Sequence, residues 1–174
     1  SGKKTIGAGA GNPPCLVDET AEIVKAARDI IAGASLDYNL PCIAEKSVIV
    51  VECVADQLIQ QMREYGALQI TDPQQMAALR EVCIQKGAAN KQLVGKSPAV
   101  ILAAAGLPVP AKVPKLIILE TAADDPLVVT EQLMPVLPIV RVDNFEQGLA
   151  LALKVEDGLH HTAIMHSQNV SRLN

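Results

Sequence analysis

Short apolar runs alternate with stretches of helical periodicity along almost the whole sequence, and this alternation limits the fold more than any other feature. Residues 47–52 are rich in valine and isoleucine, which is typical of a buried strand. The segment after Glu19 repeats its apolar residues near a 3.6-residue period, as amphipathic helices do. Further strands are expected at residues 15–18, 115–120, 136–142 and 162–166. Strands that alternate with helices form parallel sheets covered by helices, so the sequence predicts an α/β three-layer sandwich with a mostly parallel sheet.

Capping residues predict where several helices begin and end. Gly33 follows an apolar helical pattern and is expected to close its helix as a left-handed cap, and two further helices are expected to end near Gly66 and Gly106. Asp143, with Glu146 three residues later, predicts a capping box at the start of a helix over residues 145–155.

Length and composition indicate a folded protein with a substantial core. The 174 residues are 49% apolar and 20% charged, so we assign residues 1–174 to a single domain. A net charge of −4 argues against a nucleic-acid surface, which usually shows as a basic stripe. No apolar run is long enough to span a bilayer, and no cationic segment leads an apolar signal core. These features predict a cytoplasmic protein that binds neither nucleic acid nor membrane.

The four cysteines differ in their predicted surroundings. They form no CxxC pair, which favours free thiols in a reducing cytosol over disulfides or zinc. Cys15 and Cys53 fall at strand ends and Cys83 on a helix, where cysteine is usually a small buried apolar residue. Only Cys42 is predicted to lie on a loop with polar neighbours, the setting in which a thiol is readily held as thiolate. Cys42 is therefore the candidate nucleophile, with an incidental thiol as the alternative.

Two further motifs are weaker indications of a ligand site. Residues 7–11 carry alternating glycines, but they lack the preceding strand and the GxGxxG spacing of a dinucleotide fingerprint. A turn that leads into a strand is the favoured interpretation. His161 and His166 are expected on opposite faces of a strand, which argues against a shared metal ion.

Three segments together resemble the aldehyde dehydrogenase superfamily in order and spacing: residues 9–14, 39–42 and 131–136. More narrowly, residues 11–20, 37–46, 93–98 and 158–174 are similar to the CoA-acylating acetaldehyde dehydrogenases of ethanolamine utilisation. The resemblance implies that Cys42 attacks an aldehyde carbonyl, that hydride passes to NAD, and that coenzyme A releases the resulting thioester. It also implies that Glu131 contacts the nicotinamide ribose and that Leu133 lies near the nicotinamide ring. Without the resemblance, Glu131 would be interpreted as an exposed carboxylate at a helix N-terminus.

One departure from the family pattern bears on the reaction. Members that hydrolyse the thioester carry a glutamate just before the glycine turn, whereas this sequence has Ala8 there. Alanine cannot activate water, so the resemblance points to the branch that transfers the acyl group to coenzyme A. The backbone N–H of Cys42 is a candidate oxyanion donor, and the asparagine donor of the family is expected upstream of this chain.

The resemblance further implies a longer parent protein. Its NAD-binding Rossmann domain and oligomerisation strand are expected outside residues 1–174, so this chain is expected to be the catalytic domain of a homo-oligomeric enzyme that acts on a small aldehyde. The isolated domain is expected to be inactive, because half of the NAD-binding cradle is missing. A cytoplasmic location is expected, with packaging inside a bacterial microcompartment as one option. Two alternatives stay open: a non-catalytic α/β binding or assembly module, and a related acyl-phosphate reductase such as glutamyl phosphate reductase.

Overall fold

A six-stranded parallel sheet lies at the centre of the structure, a computed structural model that describes residues 9–173. The strands are β1 (Pro14–Val17), β2 (Ser47–Val51), β3 (Ala67–Gln69), β4 (Ile84–Gln85), β5 (Ala88–Ala89), β6 (Leu116–Glu120), β7 (Val136–Val142) and β8 (Ile164–His166). The large sheet has the order β3-β6-β7-β2-β1-β8, and β4 pairs with β5 in a separate antiparallel hairpin. The predicted parallel sheet is therefore confirmed.

Helices cover both faces of this sheet. They are α1 (Ile23–Ser35), α2 (Glu52–Glu64), α3 (Pro73–Cys83), α4 (Pro98–Ala104), α5 (Pro126–Val129) and α6 (Phe145–Glu156). One face packs against α1 and α2, whereas α3, α4, α5 and α6 pack on the other. The predicted three-layer α/β sandwich is confirmed. None of the helices within residues 9–173 has both the length and the apolar character that a membrane crossing requires.

The central strand β2 shows why the apolar runs predicted the sheet so well. Val48 and Val50 face α1 and α2, whereas Ile49 faces α6. All three side chains are completely buried. A strand that is covered on both faces reads as a continuous apolar run, and each such side chain stabilises the fold by about 1.5–3 kcal/mol.

Two of the three helices that were predicted to end at a glycine do so. The helices α2 and α4 end close to Gly66 and Gly106, as expected, and these glycines have φ of 107° and 68°. The prediction for Gly33 is wrong, because α1 continues to Ser35. A Cβ atom at Gly33 would lie 2.9 Å from Oε1 of Glu45. Glycine at this position leaves room for a buried carboxyl group, and it does not end the helix.

The predicted capping box of α6 is displaced by one residue. Asn144, and not Asp143, caps the helix, and its side chain accepts a hydrogen bond from the Gln147 amide at 3.0 Å. The side chain of Gln147 in turn accepts one from the Asp143 amide at 3.2 Å. The first bond of a capping box is thus made, whereas the second goes to the amide of the residue before the cap, so the box is incomplete.

A buried carboxylate fastens the C-terminal segment to the end of β1. Asp18 is completely buried and accepts hydrogen bonds from Thr20, from Ser167 at 2.6 Å and from Arg172 at 2.9 Å. Burial by itself raises the pKa of Asp18, but the bonds from Ser167, Thr20 and Arg172 outweigh it and hold this pKa below its ordinary value. A carboxylate with a lowered folded-state pKa stabilises the fold above its ordinary pKa of about 3.9, and the contribution is lost as the pH falls through the folded value.

The Asp18→Asn variant is therefore expected to lower the free energy of unfolding at pH 7 by about 1.5–3 kcal/mol, because an amide cannot satisfy the same donors. Urea denaturation at pH 7 and at stepwise lower pH measures this, and the difference from the unmodified protein is expected to shrink in acid. Asp124→Asn removes the same charge at an exposed position and is the matched control. An Asp18→Asn variant as stable as the control at pH 7 would contradict a stabilising role for the Asp18 carboxylate.

Candidate active site around Cys42

The amino-terminal ends of four adjacent strands carry the predicted site residues Cys42 and Glu131, together with two further polar residues. The sheet order places β7, β2, β1 and β8 side by side. The segments that enter these strands contain Glu131, Cys42, Asn12 and His161, respectively. Because the four strands run parallel, all of these segments lie along one edge of the sheet. The fold thus assembles them into one candidate site.

A strained backbone turn leads to Cys42. Beyond α1, the residues Asp37, Tyr38 and Asn39 have φ of 46°, 55° and 61°, which is the left-handed region. This conformation costs residues other than glycine roughly 1–2 kcal/mol each, so surrounding contacts must hold it. One such contact is visible: the buried side chain of Asn39 donates a hydrogen bond to the Glu45 carbonyl at 2.9 Å. Residues 39–45 therefore form a closed loop with Cys42 inside it.

Cys42 itself is half-buried at the turn of this loop. The amide of Ala44 donates to the Pro41 carbonyl at 3.1 Å across the turn. Among residues 9–173, no group accepts a hydrogen bond from the Cys42 backbone N–H, and its role as an oxyanion donor stays a prediction. Leu40 and Ile43 flank the thiol and are 43% and 63% exposed. The loop thus presents a thiol and a free donor within an apolar rim.

A buried lysine supports the loop from within. Lys46 is completely buried, and its ammonium donates to the carbonyls of Asn39 at 2.9 Å and Pro41 at 2.8 Å and to the side-chain oxygen of Asn39. Burial lowers the pKa of Lys46 to about 8, and the negative charges of Glu131, Cys42 and Glu45 act in the opposite direction. No role for Lys46 could be predicted from the sequence, because a lysine beside a strand is ordinarily exposed.

Glu131 belongs to a non-helical segment that is fastened to the same loop. The helix α5 ends at Val129, so the interpretation of Glu131 as a helix N-terminal carboxylate is wrong. The neighbouring Gln132 is buried and donates to the carbonyls of Lys46 and Leu127, both at 3.0 Å. Glu131 is half-buried, and among residues 9–173 its Oε1 atom has no hydrogen-bond partner. A buried carboxylate oxygen without a partner is the kind of atom that a ligand hydroxyl satisfies.

Leu133 lies two residues after Glu131 in the same segment. It has a φ of 51°, and its carbonyl accepts a hydrogen bond from the Gly95 amide at 3.0 Å. A Cβ atom at Gly95 would lie 3.6 Å from a methyl group of Leu40. Leu133 and the Cys42 loop are thus linked through the turn at Gly95, and the proximity of Leu133 to a nicotinamide ring stays a prediction.

His161 packs against the segment that enters β1. A Cβ atom at Gly11 would lie 2.9 Å from the His161 ring, so only glycine permits this approach. The strand β8 begins at Ile164, so His161 precedes it, and the prediction that His161 and His166 share one strand is wrong. Within residues 9–173 no cluster of His, Cys, Asp and Glu side chains could hold a metal ion. Ala8 lies outside the described residues.

The other cysteines contrast with Cys42. Cys15 and Cys83 are completely buried, as predicted, whereas Cys53 is exposed on α2, so its predicted burial is wrong. Burial raises the pKa of Cys83 to about 12. Burial also raises the pKa of Cys15 well above its ordinary value, with a further contribution from the charge of Glu45. These two thiols are therefore inert at neutral pH.

A cleft of about 970 Å³ lies at the opposite edge of the sheet, beside the carboxyl ends of β3, β6 and β7. Ligands of open α/β sheets usually bind at this edge. Its Arg141 is already paired with Glu52 at 3.0 Å, with Asp56 at 2.6 Å and with Glu120. No thiol lines the cleft. We therefore place the candidate site at the Cys42 edge, where the nucleophile and the unpaired polar atoms are.

The sequence is similar to known proteins over its whole length. The profile of the aldehyde dehydrogenase family matches residues 1–174. A propanal dehydrogenase (CoA-propanoylating) of Citrobacter freundii is 68% identical over 174 residues, which are 100% of this chain and 38% of that protein. An acetaldehyde dehydrogenase (acetylating) of Escherichia coli is 46% identical over 178 residues, which cover 99% of this chain and 38% of that protein.

Solved structures give the same result. Two structures of Rhodopseudomonas palustris propionaldehyde dehydrogenase, one with bound propionyl-CoA and one with bound CoA and an acylated cysteine, match with TM-scores of 0.92 at 46% identity. A propionaldehyde dehydrogenase from the Clostridium phytofermentans fucose utilisation bacterial microcompartment matches with a TM-score of 0.90 at 44% identity. Each match covers 99% of this chain and 38% or 39% of the other. The chain thus spans well under half the length of the proteins that it matches.

Proposed function

Because the chain belongs to the aldehyde dehydrogenase family, we propose that residues 1–174 are the thiol-bearing catalytic domain of a CoA-acylating aldehyde dehydrogenase. The observation that carries the proposal is the half-buried Cys42 thiol on a closed loop, beside the buried ammonium of Lys46 and the unpaired carboxylate oxygen of Glu131. The parent protein would oxidise a small aldehyde to its acyl-CoA with NAD and coenzyme A. The names of the relatives support this reaction class.

Cys42 would begin the reaction. Its thiolate adds to the aldehyde carbonyl carbon, so that a carbon–sulfur bond forms and the carbonyl π electrons move to oxygen. The backbone N–H of Cys42 is free to donate a hydrogen bond to this oxyanion, and a donor at that point lowers the energy of the tetrahedral state. A thiolate both adds and leaves readily, which divides one difficult oxidation into two easier steps.

The residues present fit part of an NAD site. NAD supplies, when bound, the acceptor for the hydride that leaves the thiohemiacetal carbon. Glu131 would hold the nicotinamide ribose, since its Oε1 lacks a partner among the described residues and a ribose hydroxyl is a suitable donor. Leu133 would contribute apolar surface near the nicotinamide ring. The remaining contacts would come from an NAD-binding domain outside this chain, so residues 1–174 alone would not catalyse hydride transfer.

Acyl transfer to coenzyme A would complete the cycle. The coenzyme A thiolate attacks the thioester carbon, the bond to the Cys42 sulfur breaks, and the Cys42 thiolate is regenerated. Ala8 stands where the hydrolysing members carry a general-base glutamate, so water would compete poorly with a thiol. The exposed apolar side chains beside Cys42 suit a short aliphatic aldehyde. The 68% identity to a propanal enzyme favours propanal, with acetaldehyde as the alternative.

The same relatives support a proposal on the location of the parent protein. We infer a cytoplasmic protein that is packaged in a bacterial microcompartment, because one matching propionaldehyde dehydrogenase comes from such a compartment. This arrangement would confine a reactive aldehyde close to the enzyme that consumes it. A homo-oligomer is proposed from the family resemblance alone.

Product analysis on the full-length protein tests the proposed reaction. Purified protein is supplied with propanal or acetaldehyde, NAD, and either coenzyme A or inorganic phosphate. We expect NADH and acyl-CoA in equal amounts with coenzyme A, and a higher kcat/KM for propanal than for acetaldehyde. Acyl phosphate with inorganic phosphate would instead identify an acyl-phosphate reductase. No NADH with either acceptor would favour a non-catalytic module.

A further inference from the structure

Lys46 is a fully buried cation whose hydrogen bonds all point toward the loop that carries Cys42. An ammonium group has three donors, and all three have acceptors here: the Asn39 carbonyl at 2.9 Å, the Asn39 side-chain oxygen and the Pro41 carbonyl at 2.8 Å. Among residues 9–173 no carboxylate lies within ion-pair distance of this ammonium. A buried charge without a contacting counter-ion is costly, which calls for a function that offsets the cost.

The backbone of Lys46 is held as firmly as its side chain. Its amide donates to the Pro13 carbonyl at 2.9 Å, which fastens it to the segment that enters β1. Its carbonyl accepts a hydrogen bond from Gln132 at 3.0 Å, which fastens it to the Glu131 segment. The backbone of Lys46 is therefore fixed on both sides, and its side chain extends to the turn before Cys42, where the ammonium donates its hydrogen bonds. The left-handed φ of 61° at Asn39 aims both oxygens of that residue at this ammonium.

The charges around Lys46 indicate what the ammonium does. The titratable groups that interact with it are Glu131, from the segment before β7, and Cys42 and Glu45, from the loop directly before it. Burial lowers the pKa of Lys46 to about 8, whereas each of these three negative charges favours the protonated ammonium. The ammonium lies 2.8 Å from the Pro41 carbonyl oxygen, which belongs to the peptide bond that joins Pro41 to Cys42, so its positive charge is held close to this residue. The effect of such a charge is stronger in the interior than in water.

We propose that Lys46 is a positioning residue for Cys42: its ammonium holds the turn that carries the thiol, and its buried charge favours the thiolate. The inference deepens the proposed function, since it presupposes that Cys42 is the nucleophile. It goes further because it assigns the activation of the thiol to the residue directly after the Cys42 loop, and not to the cofactor domain.

The test is the pH profile of Cys42 alkylation by iodoacetamide in the full-length protein, without aldehyde, NAD or coenzyme A. Peptide mass spectrometry follows each thiol separately, and the exposed Cys53 is the internal reference. In the Lys46→Met variant we expect the Cys42 profile to move to higher pH by about one unit, with about tenfold slower reaction at pH 7. The Cys53 profile is expected to stay unchanged. Lys112→Met removes an exposed lysine and is the matched control.

Two further variants separate the charge of Lys46 from its hydrogen bonds. Lys46→Gln keeps an amide donor and removes the charge, so its Cys42 profile is expected to move as in Lys46→Met. Lys46→Arg keeps the charge and is expected to retain most of the original profile. A folded Lys46→Met or Lys46→Gln variant with the original Cys42 profile would overturn the inference. Because the readout needs no turnover, this outcome is distinct from failure of the proposed function, in which the unmodified protein forms no acyl-CoA.

Discussion

Replacement of Cys42 by alanine in the full-length protein is expected to reduce CoA-dependent aldehyde oxidation by about 10⁴-fold or more. The thiol forms the covalent bond on which every later step depends, and losses of this size follow removal of a nucleophile in enzymes that act through covalent intermediates. NADH formation with saturating propanal and coenzyme A measures the effect. The half-buried thiol makes no hydrogen bond to another described residue, so its removal is expected to leave the fold intact. Circular dichroism and the unfolding midpoint check that the variant is folded.

The exposed thiol on α2 supplies the control for this experiment. Cys53→Ala removes a solvent-accessible thiol at a position away from the candidate site and is expected to retain full activity. If Cys42→Ala and Cys53→Ala were equally active, a covalent route through Cys42 would be refuted.

Replacement of Glu131 by glutamine is expected to lower kcat/KM for NAD by about 10- to 100-fold. This range corresponds to the loss of one hydrogen bond to a charged group, about 1.5–3 kcal/mol. The physical reason is the Oε1 atom of Glu131, which has no partner among the described residues and is therefore left for a ligand donor. Steady-state kinetics with varied NAD separate the effects on KM and on kcat.

Two comparisons keep this prediction specific. Glu81→Gln changes an exposed glutamate of α3 in the same way and is expected to leave the kinetics unchanged. The KM for coenzyme A is expected to change little in Glu131→Gln. An unchanged KM and kcat for NAD in that variant would remove Glu131 from the cofactor site.

The sheet could be predicted from the sequence because burial on both faces leaves a local signal. In β2 every residue is buried, so an apolar run alone marked the strand. By contrast, β3 has three residues and β4 and β5 have two each, which is too short for any periodicity to be recognised. The end of α1 was misplaced at Gly33, because the close contact at this glycine comes from Glu45, beyond the end of the helix.

The site was predictable only in part. Cys42 could be singled out from its predicted loop, since neighbouring polar residues are visible in the sequence. The burial of Lys46 could not, because it depends on a left-handed turn at Asn39 and on a bond from Gln132, which is 86 residues away in the chain. Cys53 was assigned to a strand end, but α2 begins directly after β2 and turns this residue toward solvent.

The most direct measurement asks whether Cys42 carries the acyl group. The full-length protein is incubated with propanoyl-CoA in the absence of NADH, digested, and analysed by mass spectrometry under conditions that preserve thioesters. We expect one propanoyl group on the peptide that contains Cys42, release of free coenzyme A, and neither in the Cys42→Ala variant. A propanoyl group on a different residue, or an unmodified Cys42 in protein that still converts propanal to propanoyl-CoA, would contradict the central claim.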